Sequence, residues 1–229
     1  MKPEFAFICL LAMALLGCKS KERCSVPVHL ERFNEINANL AFACVHEQIS
    51  APSTEADVLF QYARWLHRNN LLKQDKTLDV GIERLYRIAA ENGHYKANIN
   101  LQNGALRGRF KLRNDEHLRL SQQLIDANVE TGYYFIGVFL KNGSAGLKSD
   151  PEISLRYYRK AADQGNAQAQ DYVAEKLAPI NFAPDIARQM RRCAAEQGYG
   201  EAADSLGVDL KIDGQYQASL EAFQLGVAA

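Results

Sequence analysis

Mostly apolar positions return at offsets of 0, 3, 4, 7 and 8, five times along the chain. The copies are Ile82, Leu85, Tyr86, Ala89 and Ala90; Ser121, Leu124, Ile125, Asn128 and Val129; Ser154, Tyr157, Tyr158, Ala161 and Ala162; Ala187, Met190, Arg191, Ala194 and Ala195; and Leu220, Phe223, Gln224, Val227 and Ala228. These offsets fall on one helical face. Large residues fill its first turns, and two small ones near the end let another backbone approach. The last positions, 90, 129, 162, 195 and 228, are 39, 33, 33 and 33 residues apart. Gly93, Gly132, Gly165 and Gly198 are placed to stop four of these helices in the left-handed cap that glycine adopts freely.

A second helical signal follows each glycine. Ala97, Ile136, Ala169 and Ala202 stand four residues on, and Leu101, Leu140, Val173 and Leu206 eight. Each unit therefore reads as helix A, a turn, helix B and a glycine. Asp150 before Pro151 marks one helix start. A period near 33 with two helices per unit predicts an all-α solenoid, in which each unit buries its apolar face against its neighbours.

The start of the chain has another pattern. "MKPEFAFICLLAMALLGC" carries one early lysine and an apolar run from Phe5 to Leu16, followed by Gly17-Cys18. That is the form of a cleaved signal and is short for a mature membrane span. The expected organisation is a signal peptide over 1–17, an N-terminal segment with a linker and one helix (Phe33, Ile36, Leu40) over 18–52, and the solenoid over 53–229. The ending Leu15-Leu16-Gly17-Cys18 resembles a bacterial lipobox. That resemblance implies cleavage before Cys18 and its lipidation, with several acyl chains making a stable anchor. Lys19 after the cysteine then implies the periplasmic face of the outer membrane.

Charge narrows the partners. Lys plus Arg number 27 and Asp plus Glu 27, so no global basic field points to nucleic acid. The five histidines are scattered, and none sits in a metalloprotease pair, a nucleophile elbow or a phosphate loop. Asp79 and Glu83 have the i,i+4 spacing of a solvated helix face, and Glu116-His117 reads as surface. No catalytic residue and no cofactor is expected. Among the cysteines, Cys193 reads as a small buried residue beside an alanine pair. Cys24 and Cys44 could form a disulfide in an oxidising compartment. With His29 and His46 they could instead hold a metal, although their spacing matches no common zinc pattern, so no metal is assigned; two free thiols are the third possibility.

Partner-binding candidates are the aromatics at the starts of A helices, Tyr95, Tyr133, Tyr134 and Tyr199, together with Arg107 and Arg109 in the basic stretch 105–120. "RYYRKAADQGNAQAQ" and "MRRCAAEQGYGEAADSLG" resemble Sel-one-like repeats, short relatives of the tetratricopeptide repeat. "EADVLFQYARWLHRNNLL", "IERLYRIAAENGHYKANINL" and "APDIARQMRRCAAEQG" resemble repeat lipoproteins similar to the immunity proteins encoded beside type VI secretion phospholipase effectors. The resemblance implies a protein partner, with a toxin effector foremost and a general envelope scaffold or adaptor as the alternative.

Overall fold

The computed structural model describes residues 41–178 and 183–228. The signal peptide, Cys18, Cys24 and the helix expected around Phe33, Ile36 and Leu40 lie outside the described residues. Among the described residues there are ten helices and no strand: α1 (Thr54–Asn70), α2 (Lys76–Glu91), α3 (Tyr95–Leu106), α4 (Asn114–Asp126), α5 (Thr131–Asn142), α6 (Pro151–Asp163), α7 (Ala167–Leu177), α8 (Pro184–Glu196), α9 (Gly200–Ile212) and α10 (Tyr216–Ala228). Each packs on the next in sequence, so odd-numbered helices are the A helices and even-numbered ones the B helices of an α-solenoid. None of the described helices is long and apolar enough to cross a membrane.

The small pairs do what their size suggests. Ala89, Ala90, Ala161, Ala162, Ala194 and Ala195 are all buried, and a buried alanine leaves room for a neighbouring backbone. Helix starts are equally local: Ser53, Asp75, Asn166 and Asp150 each accept a bond from a backbone N–H of the helix they precede, which satisfies a donor the helix leaves open.

The second unit departs from the expected register. Its B helix ends at Asp126, and Asn128, with φ 55, takes the left-handed position that Gly93, Gly165 and Gly198 hold elsewhere. Gly132 is not a cap; it lies inside α5, where an added Cβ would stand 2.6 Å from the Ser121 carbonyl oxygen. The closing bond of each B helix fixes the true register. His94 donates to Ala89, Val129 to Leu124, Asn166 to Ala161 and Tyr199 to Ala194, so the acceptors at 89, 124, 161 and 194 step by 35, 37 and 33. Leu124-Ile125 therefore replaces the alanine pair in this unit.

The last helix is also rotated by one position from expectation. Leu220 is 52 % and Val227 90 % exposed, while Ser219 and Ala222 are buried. The reason is a junction used twice. Ser154 Oγ donates to the Gly137 carbonyl with Tyr158 against that glycine, and Ser219 Oγ donates to the Gly207 carbonyl with Phe223 against it. A serine bond and a ring over a glycine set the face of α10.

Candidate interaction site

Residues 41–52 carry no helix; they run as a strap along the turns where one unit passes to the next. Cys44 on the strap is joined to Cys193 on α8 by a disulfide, with Cα atoms 5.5 Å apart across 149 residues of sequence. This corrects the expected Cys24–Cys44 pairing. It also corrects the reading of Cys193 as packing alone, because folding brings the strap onto α8. Cys44, Cys193 and His46 place their ligand atoms within 4.8 Å of one another, but the bond consumes both sulfurs and leaves no thiolate to coordinate. His46 Nε2 faces Glu196 at 3.9 Å.

Three residues beyond Cys44, the Glu47 carboxylate meets the positive ends of two A helices. The Thr131 N–H donates to Oε1 at 2.5 Å, Thr131 Oγ1 lies 2.8 Å from both oxygens, and Asn166 Nδ2 donates to Oε2 at 3.3 Å. Glu130, the residue in the N-cap position of α5, makes no capping bond of its own, so Glu47 caps that helix from 84 residues away. The Glu47 N–H donates to the Gly165 carbonyl and to Gln197 Oε1, both at 3.1 Å. Here glycine is required twice over. Gly165 has φ +108, and a Cβ on it would lie 2.5 Å from Glu47 N.

Burial pushes the Glu47 carboxyl above its ordinary range, against the bonds from Thr131 and Asn166 that pull it down. Glu130 is raised too, by burial first and then by the Glu47 charge, with Lys160 opposing. A carboxyl raised in the folded state contributes stability below its unfolded pKa and loses it as pH rises through the folded value. Glu47→Gln should therefore gain stability relative to wild type as pH rises from about 4 to about 7. Paired thermal melts across that range check it; a melting difference that is flat or of opposite slope would contradict the burial cost.

The sequence-derived candidates sort unevenly. Tyr134 packs on Phe135 and Tyr158, and Tyr133 on Tyr157 with the Lys160 ammonium over its ring; these two serve the interior more than a partner. Tyr95 and Tyr199 are half-buried. Arg107 is exposed. Arg109 is committed inside, with Nε 2.8 Å from Asp79 Oδ1 and Nη2 3.1 Å from the Asn70 carbonyl. Both arginines line an open cleft of about 470 Å³ with His67, Lys76 and Asp79. Asp79 is only 2 % exposed, not the solvated acid its spacing with Glu83 suggested. Glu116 likewise bonds Arg87, and the His117 ring meets the Phe139 ring edge-on at 5.0 Å.

A further surface lies on α1. Val58, Tyr62 and Trp65 share a face of α1 and are exposed, Trp65 by 59 %, and Leu72 lies just beyond the helix at 96 % exposure. The Tyr62 and Trp65 rings stack with centroids 6.1 Å apart. The opposite face, Ala56, Phe60 and Ala63, is buried. The spacing of both apolar faces was visible, but not which of them the next helix would cover.

Comparisons with known proteins fit this architecture. The Sel1 repeat matches over residues 83–94 and 131–166. No curated protein matches the chain's sequence. The immunity protein Pa5087 from Pseudomonas aeruginosa is 26% identical with a TM-score of 0.65, the match covering 82% of this chain and 71% of that one. The Pseudomonas aeruginosa protein PA5086 is 28% identical with a TM-score of 0.63, covering 81% and 71%. A Sel1 repeat protein from Oxalobacter formigenes is 25% identical with a TM-score of 0.53, covering 63% and 61%. The chain is therefore an α-solenoid whose residues 83–94 and 131–166 match the Sel1 repeat.

Proposed function

We propose that this chain is an immunity protein, which binds a secreted toxin and neutralises it by occupying its surface. The observation that carries this reading is the likeness to the immunity protein Pa5087 across 82% of the chain. Occlusion needs tight, specific contact and no chemistry. The exposed Tyr62–Trp65 pair on α1 supplies aromatic area of the kind that dominates binding energy. The toxin class is the type VI secretion phospholipase effector implied by the sequence resemblance. On this reading the lipobox-like Leu15-Leu16-Gly17-Cys18 serves as a tether through Cys18 at the periplasmic face of the outer membrane, where such an enzyme would meet its substrate.

The deciding test pairs the mature protein with the toxin encoded alongside it. A stable complex that blocks lipid hydrolysis is expected, and cells lacking the protein should be killed by sibling cells unless it is restored. Trp65→Ala should weaken the complex by about tenfold or more. A folded, exported protein that forms no complex and gives no protection would favour the general scaffold.

A further inference from the structure

The strap is held as a recognised peptide would be held. Its main chain is read at several points: Gln170 Nε2 donates to the Val45 carbonyl at 3.0 Å, Arg159 Nη2 to the Ala41 carbonyl at 3.2 Å, and Gly165 and Gln197 accept from Glu47 N–H. None of these bonds uses a strap side chain, so they would accept many sequences in extended form. Selectivity comes from three side chains. Phe42 and Ile49 pack, partly buried, against the apolar core, and between them the Glu47 carboxylate fits the Thr131 and Asn166 donors.

The receiving groups are polar and come from different units: Thr131 from α5, Asn166 and Gln170 from α7, Gln197 from the end of α8. Without the strap these groups would be wetted, with only the patches under Phe42 and Ile49 left apolar, and a mostly polar site can stand empty at low cost. That separates this site from a core seam. The strap residues Ala41, Ala43, Cys44, Val45, His46 and Gln48 stay exposed, so the segment lies on the solenoid and is not enclosed by it.

We infer that this row of turns is a receptor site for an extended segment of a protein partner with an apolar residue, a glutamate five positions later and an aliphatic residue two further on. Residues 41–52 are its resident occupant. The Cys44–Cys193 bond governs exchange. While it is closed, the strap is an intramolecular competitor at high effective concentration. A dithiol reductant transfers two electrons and two protons, giving two thiols on the protein and leaving as its own disulfide; the strap is then no longer cross-linked to α8, and a partner segment can replace it. The inference rests on reading the solenoid as a protein binder, not on the identity of the toxin.

The test uses the full mature chain and a fluorescent synthetic peptide of residues 41–52 carrying Cys44→Ser. By anisotropy, oxidised wild type should not bind it. Dithiol-reduced wild type should bind weakly, and the Cys44→Ser/Glu47→Lys variant, whose own strap is disabled, should bind saturably. Replacing the peptide's glutamate by alanine should weaken binding by about tenfold or more, because charge-assisted bonds are lost. Thr131→Val in the receptor should also weaken the glutamate peptide while leaving the alanine peptide unchanged. A helical double variant that ignores the peptide, or that binds the glutamate and alanine peptides equally, overturns the inference. Peptide binding without any toxin complex would uphold it and sink the immunity reading instead.

Discussion

Serine at both Cys44 and Cys193 is expected to lower the stability of the chain by about 3–5 kcal/mol. The bond closes a loop spanning 149 residues of sequence, and closing a loop that long removes much of the freedom of the unfolded chain. In the native state the same variant keeps the Glu47 cap and the Gln170 and Gln197 bonds, so the strap loosens before the helices do. Denaturant midpoints should fall for the double variant under oxidising conditions, and dithiol-reduced wild type should fall to the same place. An unchanged midpoint for both would mean that the bond does not constrain the chain in solution.

What could be read from sequence was whatever a helix writes within a few turns of itself. The alanine pairs, the Asp150 start and the glycines at 93, 165 and 198 are set by backbone geometry and by neighbours three or four residues away. The second unit misled because no alanine pair marks it, and Asn128 can take the left-handed conformation that glycine was expected to supply. Long-range pairing was not legible. Cys24 stood near Cys44 in sequence, whereas the partner of Cys44 is 149 residues away. Nothing local to Glu47 says that it will cap α5, since its donors lie 84 and 119 residues further on. The exposed face of α1 is not legible for a different reason. A helix with apolar residues on two faces does not say which face the next element will cover.

The packing decides where a partner can bind. Tyr133 and Tyr134, at the start of α5, are half-buried and pack on rings of the solenoid. A stacked, exposed aromatic pair lies on α1, and the polar row along the turns is already occupied by the chain itself. Two surfaces of different chemistry therefore present themselves, one apolar and open, the other polar and filled. The first needs no change in the protein to bind; the second needs the strap to leave.

Arg109→Ala is expected to cost about 3–5 kcal/mol, while Arg107→Ala, two residues away and exposed, should stay within about 0.5 kcal/mol of wild type. Arg109 reaches from the turn after α3 to Asp79 in α2 and to the Asn70 carbonyl at the end of α1. Asn70 in turn donates to Asp79 Oδ1 and to the Asp75 carbonyl and accepts from the Asp75 N–H, so one network holds three helices together. Removing the guanidinium leaves Asp79 buried with an amide bond and the Lys76 ammonium 3.9 Å away. A buried carboxylate left with so little compensation is the expensive outcome, not the absence of the pair itself. For that reason the double variant Asp79→Ala/Arg109→Ala should be more stable than Arg109→Ala alone, a non-additivity that a double-mutant cycle reads directly. Chemical denaturation of the four chains checks it. If Arg109→Ala proved as harmless as Arg107→Ala, the pair would not be holding these helices, and Arg109 would be free to serve a partner.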